Sequence, residues 1–400
     1  VRGLSVIGVS VAIVPLRKDL IVATPDLSRT TPCCQGVVPP YLLQRLASAP
    51  AERSARLDTA PSVASRTLEL DDEMRRRRDS TRSTVSPTAP RGAVADRLQR
   101  TIADAKNTQT LPGDVVRTEG GEPVGDPAAD ESYDGLGVTH ALFAEVYGWS
   151  SLDGQGLPLD ATVHYGEQYD NAFWDGTRMV FGDGDGEVFT RFTVSLSVIA
   201  HELAHGFTQY TSQLEYAGQS GALNESVSDV FGVLAEQRSR GQNAEDASWL
   251  VGEGLFLPDV QGSALRSMLA PGTAYDDDVL GKDPQPADMA GYVETTEDNG
   301  GVHINSGIPN RAFAEAAVAL GGPAWDRLGQ VWFDALTSGS LTPTADFAAF
   351  SAATVAAASA RYGTGSDVHR AVVGGWTTVG LEPAGTGSAS DAADEASKRT

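Results

Sequence analysis

The chain is almost without cysteine. Its 400 residues hold two, Cys33 and Cys34, and a trans peptide keeps neighbouring Cα atoms closer than ordinary disulfide geometry requires. Disulfides therefore do not account for its stability, and cysteine usage does not identify a compartment. Long apolar runs are lacking too. No stretch reaches the roughly 18 residues that cross a bilayer, so no membrane span is expected. Basic charge is scarce: 30 Lys and Arg stand against 53 Asp and Glu, a net charge of −23. The deficit is uneven, with 16 basic and 10 acidic residues in 1–100 but 14 and 43 in 101–400. An acidic body excludes nucleic acid as its partner. A basic leader ahead of it suggests that the two parts bind each other; the alternative is that each stays solvated.

Glycine (43) and proline (21) are plentiful, which implies many turns and long loops. Residues 1–35 form an extension without clear pattern. Within it, Leu4–Leu16 follows Arg2 and has the size of a signal-peptide apolar region, but Arg17 and Lys18 close it without a small-x-small cleavage site. Secretion is expected from the acidic body, with a cytoplasmic location as the alternative. Pro39-Pro40-Tyr41-Leu42-Leu43 opens a short amphipathic helix. A charged helical stretch runs from about Leu68 to Arg78, and a Ser/Thr/Pro-rich linker follows from Ser80 to Arg91, exposed and open to proteolysis. Short alternating runs, Ala161–Tyr165 and Arg178–Phe181, read as strands. After Thr193 the pattern turns helical, with helices expected over 194–210, 222–240, 307–320, 324–337, 345–361 and 366–374. The tail, 383–400, has a disordered composition.

The chemistry is concentrated in Val198-Ile-Ala-His201-Glu202-Leu-Ala-His205. On a helix His201 and His205 lie about one turn apart and reach one metal together, while Glu202 can hold a water in an open metal position. This H-E-x-x-H pattern is a known metalloprotease signature. Two histidines need a third ligand, usually a carboxylate. Glu225 comes 24 residues after His201, room for a helix, a turn and a return. Asp229 sits one turn beyond it and can orient a metal-bound histidine through its other ring nitrogen. The bland alternative is that Glu225 and Asp229 decorate a solvated helix face. His140, His164 and His369 lack such partners and read as structural or surface residues. Asp183 and Asp185, in Gly-Asp-Gly-Asp-Gly, lack the other ligands of an EF-hand and read as a turn.

Taken together, His201-Glu-Leu-Ala-His205, Gly221-Ala-Leu-Asn-Glu225-Ser-Val-Ser-Asp229, the segment Asn171–Gly186 and Asp298-Asn-Gly-Gly-Val-His303 resemble the thermolysin-like neutral proteases, in the same order, from about residue 101 to 381. The Pro-Pro-Tyr-Leu-Leu run is similar to the short prosegment of the protealysin-like subgroup. The resemblance implies an α+β fold of two lobes, β-rich and then all-helical, with one catalytic Zn²⁺ in the cleft between them and a prosegment ahead. The divisions expected are 36–100 for an inhibitory prosegment with linker, 101–210 for the first lobe and 211–382 for the second. His201, His205 and Glu225 would be zinc ligands and Glu202 the general base. Tyr216 and His303 would stabilise the oxyanion, with Asp298 orienting His303. Arg266 would take a substrate carbonyl on the primed side, and Asn171 and Ala172 would pair with the substrate backbone. Phe189, Phe192, Val198, Val251 and Leu265 would line the apolar primed-side pocket.

The implied activity is hydrolysis of peptide bonds N-terminal to apolar residues in peptide or protein substrates, by a monomer that trims its own prosegment near residues 92–118. One departure concerns calcium. Where many relatives carry acids for a double Ca²⁺ site, this chain has Ser197, Ser248 and Leu250, leaving Glu236 and Glu253; Ca²⁺ remains possible, but the double site is expected to be lost. Two rivals stand beside the protease reading: a metal-stabilised protein that only grips peptides, and a latent protease with a single protein target. Glu202, Tyr216 and His303 weigh against the first, since binding alone needs neither a base nor oxyanion donors.

Overall fold

The structure, a computed structural model, describes residues 36–50, 57–81 and 98–383. The readings for 1–35, for most of the Ser80–Arg91 linker and for the tail beyond Pro383 lie outside the described residues.

The leader contributes α1 (Pro40–Ala47) and α2 (Ala60–Thr81). Pro40 opens α1 at the position where a missing N–H costs nothing, and Leu42, Leu43 and Leu46 are buried. The first lobe is a five-stranded mixed sheet of β1 (Arg100–Asp104), β2 (Asp114–Thr118), β3 (Leu159–Val163), β4 (Ala172–Trp174) and β5 (Met179–Phe181), in the order β2-β1-β3-β5-β4. Strands β1, β3 and β5 run parallel, while β2 and β4 are antiparallel edges. An edge strand keeps a row of backbone groups available for pairing with another chain segment, and β4 is the edge beside the site.

The first lobe also contains a helix, α3 (Pro127–Ala141), where short strands and turns were expected. Asp126 caps it by accepting from the N–H groups of Ala128 and Ala129. Gly135 and Gly137 within the helix are poor helix formers; tertiary packing, not propensity, holds it. The helices α4 (Leu196–Tyr210) and α5 (Gly218–Arg240) follow. Residues 197–208 of α4 are all buried, His201, Glu202 and His205 among them. It pairs with α5, and Phe143 lies 4.8 Å from Phe207 on α4 and 5.1 Å from Phe231 on α5, ring centre to ring centre. Gly232 makes the approach possible: a Cβ there would fall 2.5 Å from the Ser197 carbonyl oxygen. Gly241, at φ 64°, ends α5 in the left-handed conformation that glycine adopts readily.

Beyond α5 the second lobe is not all-helical. Two small ribbons, β6 (Leu250–Val251) with β7 (Arg266–Ser267) and β8 (Asp276–Asp277) with β9 (Gly281–Lys282), precede the remaining helices. Strands of two residues are too short to show a period in sequence, and β7 carries Arg266. Helices α6 (Asp298–Asn305), α7 (Gly307–Leu320), α8 (Arg327–Thr337), α9 (Phe347–Tyr362) and α10 (Asp367–Thr378) complete the chain. Five of these ten helices, α4, α5, α7, α8 and α9, start or end within a few residues of their expected limits, as does α10's start; α6 was not foreseen. No helix among the described residues is long and apolar enough to cross a membrane.

Candidate metal centre and substrate cleft

Helix α4 places His201, Glu202 and His205 at the floor of the cleft, each fully buried, and α5 brings Glu225 and Asp229 against them, also fully buried. The Nε2 atoms of His201 and His205 are 3.1 Å apart, and each lies 3.5 Å from a Glu225 carboxylate oxygen. A tetrahedral zinc with bonds of about 2.0–2.1 Å holds its ligands about 3.4 Å apart. His201 Nε2 faces Glu225 Oε2 and His205 Nε2 faces Oε1, so the two rings and the carboxylate stand at about the separations that a shared zinc requires. Glu225 Oε2 is buried without a hydrogen-bond partner, as an atom meant for a cation would be. The residues present fit zinc.

The outer partners fix how the rings face. A carboxylate only accepts, so His201 Nδ1 donates to Asp229 Oδ1 at 2.8 Å and leaves Nε2 with its lone pair toward the centre. His205 Nδ1 is held by Asn224 Oδ1 at 2.8 Å, with Ser228 Oγ at 3.0 Å. Asn224 and Ser228 are residues that the sequence reading did not single out. Their signal was present: each precedes one of the acids Glu225 and Asp229, one turn apart, and His205 needs an orienting group as much as His201 does. Burial pushes His205 down to about 4, so its ring is neutral as a ligand must be. Burial would raise the Glu225 carboxyl, but the rings of His303, His205 and His201 hold it below its ordinary value.

Glu202 stands apart from the triangle. Its Oε2 accepts from the Trp174 N–H on edge strand β4 at 2.8 Å, which ties the carboxylate to the strand beside the cleft. On the other side Tyr216 donates to Glu225 Oε1 and lies 3.3 Å from His303 Nε2. Asp298 brackets His303 by accepting from its Nδ1 at 2.7 Å and from its backbone N–H at 2.8 Å. The bracket depends on local sequence: Asp298, Asn299, Gly300 and Gly301 all have positive φ, and Asp, Asn and Gly are the residues that tolerate it.

Arg266 reaches the cleft from β7. It donates through Nε and Nη2 to Asp229 at 2.9 and 2.8 Å, leaving Nη1 directed into the cleft. Asn310 Nδ2 donates to the same Asp229 carboxylate at 2.8 Å, another partner the sequence did not suggest. Asn171 and Ala172, Phe189, Phe192, Val198, Val251 and Leu265 are all buried. Among the remaining histidines, His164 is held between Asp183 and Asp126, and Asp185 Oδ1 accepts from three successive N–H groups, Glu187, Val188 and Phe189, forming the expected turn.

The leader lies in this cleft. Val37 N–H donates to the Ala172 carbonyl at 3.0 Å, Val37 O accepts from Arg266 Nη1 at 3.0 Å, and Val38 N–H donates to Asn171 Oδ1 at 2.9 Å. Helix α1 is anchored by its buried leucines and by Arg45, which donates to the carbonyls of Leu280 and Lys282. Helix α2 is capped from outside: Glu187 accepts from Thr59 N, Thr59 Oγ1 and Ala60 N at 2.8–3.2 Å, a carboxylate at the positive end of a helix.

A sheet lobe and a helical lobe, with two histidines and a glutamate on one helix and a further glutamate on the next placed where they could hold one metal, have the make-up of a metal-dependent hydrolase. Family comparison gives the narrower identity. Residues 78–209 match the thermolysin metallopeptidase catalytic domain and residues 212–381 the thermolysin metallopeptidase alpha-helical domain. The chain belongs to the thermolysin metallopeptidase family and is a zinc metalloprotease, a neutral endopeptidase. It is 46% identical over 355 residues to an extracellular metalloprotease of Pectobacterium carotovorum subsp. carotovorum, covering 88% of this chain and 98% of that one. It is 37% identical over 287 residues to a thermolysin of Alicyclobacillus acidocaldarius subsp. acidocaldarius, covering 70% of this chain and 50% of that one. Among solved structures, the precursor of protealysin from Serratia proteamaculans matches with a TM-score of 0.77 at 47% identity, over 87% of this chain and 100% of that one.

Proposed function

We propose that the enzyme hydrolyses peptide bonds N-terminal to apolar residues, and that it is made as a monomeric precursor whose residues 36–100 block the cleft until it removes them. The observation that carries this reading is the convergence of an oriented ligand set, a separately tethered carboxylate and an edge strand at one cleft. Zinc held by His201, His205 and Glu225 would polarise the substrate carbonyl and make a water acidic enough to attack at neutral pH. Glu202 accepts the proton of that water and delivers it to the leaving nitrogen, steered by the Trp174 N–H. Tyr216 and His303 donate to the oxyanion that develops on the substrate; because Nδ1 donates to Asp298, His303 Nε2 donates only from the protonated ring, which burial opposes and Glu225 and Asp298 favour. Arg266 receives the carbonyl after the cut, while Asn171 and Ala172 hold the backbone as an added strand. The walls of Phe189, Phe192, Val198, Val251 and Leu265 favour an apolar side chain there. The lobes are taken as 101–210 and 211–382, and the processing bond is placed near 92–118. Relatives named extracellular metalloproteases support secretion.

Wild type and Glu202→Ala, expressed side by side, test this. The wild type should shorten itself near 92–118 and digest casein, and a zinc chelator should stop the digestion. Glu202→Ala should stay full length, folded and zinc-loaded, with activity down by at least about 10²–10⁴-fold. A Glu202→Ala protein with wild-type turnover would sink the assignment of the base.

A further inference from the structure

The leader meets the cleft in a particular register. Going from Val37 to Val38, its partners go backwards along the lobe, from Ala172 to Asn171. Gly36, the residue before Val37, lies against Asn171 and Ala172. The Val37 N–H and carbonyl thus take the two contacts, Ala172 and Arg266, that the reading above gives the residue after the scissile bond. We infer that the Gly36–Val37 peptide bond of this chain occupies the scissile position, so that the leader is the enzyme's first substrate and afterwards its product inhibitor. The inference rests on the endopeptidase reading above.

Three further observations agree. Val37 is 1% exposed, so the residue after the bond is a buried apolar one, as the walls of the cleft favour. A Cβ on Gly36 would come within 2.3 Å of Asn171 Oδ1 and 2.4 Å of the Ala172 carbonyl, so only glycine lets the leader backbone sit this close to the cleft wall. Cutting would not free the remainder, because α1 is still held by Leu42, Leu43, Leu46 and Arg45. A tethered product rebinds at high effective concentration, which reconciles a cleavable bond with a blocked cleft.

The step consumes one water. Its oxygen bonds to the Gly36 carbonyl carbon, the C–N bond to Val37 breaks, and Glu202 carries a proton to the departing nitrogen. The products are a Gly36 carboxylate and a Val37 α-amine.

The test follows full-length wild type, Gly36→Ala and Glu202→Ala by intact mass and N-terminal sequencing. Hydrolysis of an external peptide is measured in parallel after limited trypsin removes the leader. A new amino terminus at Val37 is expected in wild type, at least tenfold slower formation in Gly36→Ala, and none in Glu202→Ala. A readout independent of turnover comes from metal-free Glu202→Ala: the Val37 amide should be protected from hydrogen exchange, and the added Gly36→Ala change should remove that protection. An enzyme that cleaves the external peptide yet keeps Gly36–Val37 intact overturns this inference alone. One that cleaves neither overturns the endopeptidase reading as well. A fast-exchanging Val37 amide rejects the register itself.

Discussion

Asp229 and Arg266 are joined by two hydrogen bonds, at 2.8 and 2.9 Å, with both side chains fully buried. The same carboxylate holds His201 Nδ1, so one acid couples the metal side of the cleft to the substrate side. Burial would raise the Asp229 carboxyl, but Arg266 and His201 hold it well below the carboxylate range, and it stays charged.

Arg266→Met therefore does two kinds of damage. It strands a buried carboxylate, which costs about 3–5 kcal/mol of stability, and it removes the donor proposed to take the substrate carbonyl. Arg266→Lys keeps the charge without the fork. The lysine variant should remain folded and bind zinc, with kcat/KM down about 10–150-fold, the equivalent of one charge-assisted hydrogen bond. Unchanged kcat/KM on peptides in that folded, zinc-loaded variant would exclude a substrate contact at Arg266.

Arg240 supports a prediction about calcium. Its guanidinium sits on Glu236 at 2.8 Å and Glu253 at 3.3 Å, the acids left from the double calcium site expected in relatives. Burial keeps the Glu236 carboxyl above its ordinary value, with Arg240 opposing. An organic cation thus bridges these two acids. The melting temperature should be unmoved by mild calcium chelation that leaves zinc in place. Arg240→Ala should lose about 1 kcal/mol, as befits a half-exposed pair, and millimolar calcium should restore part of it. A large drop in wild-type melting temperature on calcium removal contradicts this.

His164 makes stability pH-dependent in a definite direction. Hydrogen bonding to Asp183, opposed by burial and aided by Asp126, raises its pKa from 6.5 to about 9. A raised folded-state pKa contributes stability that is complete below about 6.5 and lost as pH rises through about 9. Because the ring is partly exposed, the contribution is about 1 kcal/mol. In the inactive Glu202→Ala background, His164→Gln should be destabilised by that amount at pH 6 and by clearly less at pH 10. A deficit that stays constant between those pH values would remove the charge from the explanation.

Much of the site was legible along the chain because helical periodicity is local. His201, Glu202 and His205 share one helix and Glu225 and Asp229 another, so their spacing in sequence already orders them in space. The left-handed run that lets Asp298 grip His303 is likewise written in Asp-Asn-Gly-Gly. Other features depended on packing. The ribbon that delivers Arg266, the roles of Asn224, Ser228 and Asn310, and α3 left no period to read. Each is settled by contacts between segments 19 to 81 residues apart.

The sequence by itself determined which atoms could bind a metal and which acid could serve as base, since residue type and helical spacing decide both. Only the tertiary structure decided that α5 approaches α4 closely enough, at Gly232, for the three ligands to meet. It alone set the register in which Val37 lies against Ala172 and Arg266. A register is a choice among chain positions separated by 135 and 229 residues, and no local preference of either segment selects it; the burial of α1 and the free edge of β4 do.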